Sequence, residues 1–226
     1  MKRFAVYYAP RQGEFAARTA AWLGWDAASG REVARPDLPG LPCRAAEITR
    51  DPRKYGFHGT IRAPFRLGEG VSPDDAVATV EALAARLAPV SCVGLRMVDL
   101  HGFLALIPED CDDELEALAA AVVEGTNHLR APLTREEIAR RKPDRLSPRQ
   151  RGLLDRWGYP FVMEEFQFHL TLTDKLPEDQ RPPVMAALQE YLSPVLPRPF
   201  VIEDLCLLGE EMDGRFHLLH RAALSG

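Results

Sequence analysis

Runs of alternating and clustered apolar positions divide the chain into strands and helices. RFAVYYAP (3–10) is aromatic, apolar and closed by Pro10, which predicts a strand. EFAARTAAWLG (14–24) has helical composition and ends at Gly24. Residues 26–50, rich in Pro and Gly, predict a long loop. KYGFHGTIRAPF (54–65) predicts a strand stopped by Pro64. SPDDAVATVEALAARLAP (72–89) predicts a helix: Ser72 caps it, acids fill its first turn and Pro89 follows. Strands are expected near 91–99 and 102–107, then an acid-started helix over 112–125. EEFQFHLTLTDKL (164–176) predicts a strand, 177–192 a helix, and 199–208 and 215–222 two strands.

These elements repeat. GFLALIPE (102–109) with its following helix echoes RFAVYYAP with helix 14–24. His58 lies 37 residues before Leu95, and His169 lies 37 residues before Cys206. The pattern is β-α-β(His)-α-β, written twice. Such a duplication predicts one bilobal unit over 1–226, lobe 1 covering 1–100 and lobe 2 covering 101–226. The second half carries an insertion over 130–160. Within it, residues 134–157 hold eight Arg and Lys against four acids. It reads as a solvated helical excursion, or as a rim for an anionic substrate, or as a subunit interface.

The repeated sequence is Phe-His-x-Thr-aliphatic: Phe57-His58-Gly59-Thr60-Ile61 and Phe168-His169-Leu170-Thr171-Leu172. In a strand, side chains alternate between faces. His58, Thr60 and Arg62 then share one face, as do Gln167, His169, Thr171 and Thr173. If the lobes face each other, two imidazoles and two hydroxyls converge on a volume the size of one phosphate. That set suits phosphodiester chemistry. A neutral imidazole takes a proton from the attacking oxygen, a protonated one gives a proton to the leaving oxygen, and hydroxyls bond the non-bridging oxygens. An ordinary histidine pKa near 6.5 allows both forms. The candidate catalytic pair is His58 and His169, with no residue-level reason to name either as acid or base. Thr60 and Thr171 are candidate phosphate contacts. Arg62, Thr173, Tyr7 and Tyr55 are candidate substrate contacts. No metal site and no cofactor are expected, since HExxH, HxHxH and clustered carboxylates are absent. His101, His128, His217 and His220 have no matched partner and read as structural.

Composition narrows the partners. The 226 residues are 46% hydrophobic and 27% charged, as in ordinary globular proteins. No apolar run approaches the roughly 20 residues that cross a bilayer, and the opening apolar stretch is too short for a signal peptide. The cytoplasm is therefore expected. Cys43, Cys92, Cys111 and Cys206 form no CxxC pair and read as small core or surface residues in a reducing compartment. A net charge of −5 argues against long nucleic acid as partner but allows a small anion in a local positive pocket. A membrane partner is not expected, and oligomeric state stays open.

The two His-x-Thr-aliphatic strands resemble those of the 2H phosphoesterase superfamily, which includes cyclic phosphodiesterases. The longer stretches KYGFHGTIRAPFRL and WGYPFVMEEFQFHLTLTDKL resemble one bacterial branch, DUF1045, often encoded beside phosphonate-utilisation genes. The likeness runs over nearly the whole chain. It implies an α+β fold of two pseudo-symmetric lobes, antiparallel sheets flanked by helices around a central groove. It also implies catalysis by His58 and His169, phosphate contact by Thr60 and Thr171, and a small, possibly cyclic, phosphodiester as substrate. The alternative is a non-catalytic module that binds a phosphorylated ligand or an RNA end through the same groove.

Overall fold

A computed structural model describes residues 1–226. In chain order its elements are β1 (Phe4–Tyr8), α1 (Glu14–Leu23), β2 (Trp25–Asp26), β3 (Arg31–Glu32), α2 (Pro52–Tyr55), β4 (Gly59–Phe65), α3 (Pro73–Ala84), β5 (Val90–Cys92), β6 (Gly94–Leu100), β7 (Phe103–Glu109) and α4 (Asp112–Thr126). They continue with α5 (Arg135–Arg140), α6 (Pro148–Trp157), β8 (Leu170–Thr171), α7 (Arg181–Leu192), β9 (Phe200–Ile202), β10 (Asp204–Glu210) and β11 (Phe216–Ala223). Local sequence sets several boundaries. Gly24 ends α1 in the left-handed conformation at φ 74°. Ser72 and Asp75 close a capping box at the start of α3, and Thr134 with Glu137 does the same for α5.

Seven strands form one antiparallel sheet in the order β11-β10-β1-β4-β8-β7-β6. The order exposes the duplication. β4 and β8, the His strands of the two halves, are neighbours at the centre. β1 and β7, the first strands, flank them. The third strands exchange sides: β6 of the first half pairs with β7, and β10 of the second half pairs with β1. A pseudo-two-fold axis therefore runs between β4 and β8, and each half completes the sheet of the other.

Helices α1, α3, α4 and α7 all contribute to one core against the sheet, with Trp22, Val80, Leu118 and Leu188 meeting Val6, Ile61, Leu106 and Leu170. That core holds 38 buried residues, so the sheet's two halves share a single apolar interior. On the opposite face Ala5, Tyr7, Cys206, Leu208 and Phe216 form a smaller cluster. The insertion folds onto the main body through a third cluster, in which Leu153 and Trp157 of α6 meet Val123 of α4 and Val162.

Four expectations need correction. β4 ends at Phe65 as expected but begins only at Gly59, because Pro52–Tyr55 form the short helix α2, and its Pro64 is tolerated for a local reason. β8 pairs with β4 only at Gly59, so the rest of β4 has an open side, the edge condition a proline tolerates. The expected strand over 164–176 forms ladder bonds only at Leu170–Thr171, with a 3₁₀ turn at Met163–Glu165. The loop after α1 contains the β2–β3 hairpin. Cys92 and Cys111 are joined in a disulfide with Cα atoms 5.2 Å apart, while Cys43 and Cys206 are free. The β6–β7 register explains the pairing: Gly94 sits opposite Glu109 at the open end of the hairpin, and continuing outward brings 92 opposite 111. No helix is long and apolar enough to cross a membrane.

Candidate active site

The two motifs meet centre to centre. Gly59 pairs with Leu170 in an antiparallel register. That register sets His58 across from Thr171 and Thr60 across from His169, with directly opposed side chains roughly 5 Å apart at Cβ and the two histidines on a diagonal of about 7–8 Å. Phe57 and Phe168, the residues before each histidine, are buried in the core together with Ile61 and Leu172. Each motif is thus anchored by its apolar positions while its His and Thr turn to the open face.

Gly59 has a packing reason to be glycine. A Cβ there would overlap the ring of Phe168, so the ring of one motif lies over the backbone of the other. The residue lies flat under Phe168 within an ordinary strand; no unusual backbone angle is involved.

The two imidazoles are held alike. His58 Nδ1 lies 2.9 Å from the carbonyl oxygen of Gly56, and His169 Nδ1 lies 2.9 Å from that of Gln167, each two residues back. A carbonyl only accepts, so Nδ1 carries the proton in both rings. Each Nε2 is then the free nitrogen. His58 Nε2 lies 3.3 Å from the Thr60 hydroxyl, which donates to it when the ring is neutral. Aromatic rings fix the orientation: Tyr7 stacks on His58 at 4.1 Å between centroids, with Tyr55 at 5.5 Å, and Phe103 lies 5.7 Å from His169. Burial pushes His58 down to about 4; the Gly56 carbonyl opposes this, and neighbouring His169 adds to it. Burial also lowers His169, against the raising effect of the Gln167 carbonyl. Both rings therefore favour the neutral form.

The groove beside His58 has a volume of about 510 Å³. Tyr7, Tyr55, His58, Thr60, Thr171 and Thr173 line it, and His169 does not; it reaches the site through the register that sets it across from Thr60. Thr173 and Arg62 differ in detail from expectation. Thr173 is buried and its hydroxyl accepts from the backbone N–H of Leu104, which ties β7 to the segment after β8. Arg62 lines an adjoining cavity instead of the groove. The β1–β4 register slips between the Tyr7–Thr60 and Val6–Arg62 pairs, which interrupts the alternation that put Arg62 beside Thr60. Residues not foreseen at the groove are Phe103, Asp51, Asp174, Lys175 and Tyr159. Asp174 accepts from the backbone N–H groups of Arg50 and Asp51, holding the loop before α2 against the end of β8. None of these carries a sequence signal of its own, because loop packing places them. The other four histidines lie outside the groove, His220 beside Glu81 at 3.0 Å and His217 beside Glu211 at 3.8 Å.

Comparison with known proteins adds the following. A protein 36% identical over 220 residues is named ribose 1,5-bisphosphate phosphokinase PhnN, from Janthinobacterium sp. (strain Marseille); the match covers 95% of this chain and 49% of that one. A second of the same name, from Laribacter hongkongensis (strain HLHK9), is 36% identical over 213 residues, covering 94% and 49%. The chain spans about half the length of these curated relatives. Among solved structures, one described as a phosphoesterase has 16% identity and a TM-score of 0.44, covering 100% of this chain and 99% of that one. E. coli LigT complexed with 3′-AMP has 16% identity and a TM-score of 0.43 with the same coverage. A family model described as "Protein of unknown function (DUF1045)" matches residues 60–217. That match takes in most of β4, all of β8 and the whole of the insertion between them, and on it the chain belongs to the DUF1045 family.

Proposed function

We propose that this protein is a phosphodiesterase that hydrolyses a small phosphodiester without a metal ion, with His58 and His169 as its catalytic pair. The observation that carries the reading is the matched pair of Nδ1–carbonyl bonds on two strands in centre-to-centre register. Those bonds leave Nε2 of each ring free, on segments that the register brings side by side. The Thr60 and Thr171 hydroxyls stand beside them as donors to the non-bridging oxygens.

His58, the more strongly held in its neutral form, takes the proton of the attacking water as the water oxygen bonds to phosphorus. His169, charged once the anionic substrate is bound, gives its proton to the leaving oxygen as the second P–O bond breaks. The products are a phosphomonoester and an alcohol, or one molecule carrying both if the diester is cyclic. A bound phosphate anion favours the charged form of a nearby imidazole, so substrate supplies the charge that burial disfavours. The name carried by the relatives supports a phosphorylated sugar as substrate, and the family resemblance supports a place beside phosphonate use.

The test is a panel of small cyclic and linear phosphodiesters, including 2′,3′-cyclic nucleotides, followed by phosphorus NMR in the presence of EDTA. Turnover that disappears in His58→Ala and His169→Ala supports the reading. Tight binding by calorimetry with no product from any diester would favour the binding module.

A further inference from the structure

Beside the groove lies a partly open cavity of about 130 Å³, enough for roughly four waters at about 30 Å³ each and so for one phosphate-sized group. Its wall contains six arginines and a single acid, Glu137. Glu137 is already taken: Arg66 Nε and Nη2 grip it at 3.0 Å each. Arg3 is held by Glu210 at 2.6 Å. Arg62 and Arg130 have no carboxylate.

Arg62 is the unusual one. It is 1% exposed, yet its Nε and Nη1 have no hydrogen-bond partner. Nη2 reaches the side-chain oxygen of Asn127 at 3.4 Å, which Arg130 Nε shares at 3.3 Å. The face of the guanidinium lies 5.4 Å from the ring centre of Phe65. A buried, always-charged group with two idle donors is costly unless an anion meets it. Burial and the nearby Arg130 both act against its charge. The cavity also shares wall residues with the groove, among them Pro64, Arg141 and Tyr159. Along β4, Arg62 is two residues from Thr60, with the register slip between them.

We propose that this cavity binds a second anionic group of the substrate, a terminal phosphomonoester, through Arg62 and Arg130. The substrate is then a compound with two phosphates: a diester held by the histidines and threonines, and a monoester held about one short spacer away by paired guanidiniums. This rests on the phosphodiesterase reading for its first half only. Bidentate guanidinium–phosphate contact gives the second half its selectivity for a dianion.

Two measurements test it. By calorimetry with inorganic phosphate, the protein binds two anions per chain, one remaining in His58→Ala/His169→Ala and a different one remaining in Arg62→Met. In kinetics, a diester bearing a terminal phosphomonoester exceeds its dephosphorylated analogue in kcat/KM by about 10²-fold, as two or so charge-assisted bonds would give, and Arg62→Met or Arg130→Met brings the ratio near one. Arg130 is only partly buried, so its variant serves if Arg62→Met does not fold. Hydrolysis of both diesters at equal rates, with one phosphate bound and no response to either arginine variant, overturns the second site and leaves the phosphodiesterase standing. Binding of phosphate that depends on Arg62, with no diester hydrolysed, does the reverse.

Discussion

Gly59 and Leu170, the middle residues of the two His-x-Thr motifs, face each other across the β4–β8 pair. This one register decides the site. Shifting β8 by a single residue against β4 would turn His169 and Thr171 into the core. What protects it is steric: Phe168 lies over Gly59 and leaves no room for a side chain.

Gly59→Ala should therefore force the two His strands apart. Overpacking of this kind costs about 1–3 kcal/mol, and the displaced imidazoles should lower turnover as well. Urea unfolding and initial rates check both. Leu at position 168 should relieve part of the stability loss, so a double-mutant cycle should show coupling between the two sites. Strict additivity would mean that the ring does not guard the register.

The two histidines should differ by leaving group. With an alkoxide leaving group, His58→Ala and His169→Ala should each lose about 10²–10⁴-fold in rate. A p-nitrophenyl ester needs no protonation of its leaving oxygen. It should restore much of the rate to His169→Ala and little to His58→Ala. The opposite pattern would exchange the assigned roles.

The disulfide offers a test away from the chemistry. Cys92 and Cys111 are 19 residues apart, and neither lines the groove. Closing a loop of about that length stabilises a fold by about 3 kcal/mol in the chain-entropy account. Cys92→Ser, or reductant, should lower the urea midpoint and leave kcat unchanged. An identical midpoint with and without reductant would show that the crosslink contributes nothing.

Much of this fold could be read from residue pattern, and the misses share a cause. β1, α3 and α4 were legible because alternation, caps and acidic first turns are local signals. The duplication was legible because both motifs kept their Phe, His, Thr and aliphatic positions, each with a physical task. Partnership was not legible. Residues 166–169 have the composition of a strand, yet pairing begins only at Leu170, since a ladder depends on what lies alongside. Likewise, alternation put Arg62 beside Thr60, but the slip in the β1–β4 pairing took it into a separate cavity. The disulfide was missed because hairpin register, not cysteine spacing, brings its ends together. The order of strands hid a further point: β6 and β10 trade sides, so each half's sheet is finished by the other.

The pH dependence follows from the two lowered histidines. In the free enzyme the base must be neutral, which His58 satisfies down to about 4. The acid must be protonated, which His169 satisfies only below a value already under the ordinary 6.5. The profile of kcat/KM should therefore be a bell with its maximum on the acidic side of pH 6.5. Bound phosphodiester favours the charged rings, so the profile of kcat should lie at higher pH than that of kcat/KM. Stability carries the same sign. Unfolded histidine binds its proton near 6.5, and folded His58 resists until about 4. Between these values the unfolded chain binds more protons, so stability falls as pH drops through that window and is full above it. His58→Gln cannot take up that proton, and its stability should fall less between pH 6.5 and 4 than that of the parent protein. Urea midpoints at pH 7.5, 6 and 5 for the two proteins measure the difference. An equal or steeper decline in the variant would mean that the imidazole is not held neutral by its surroundings, and the assignment of His58 as base would lose its physical ground.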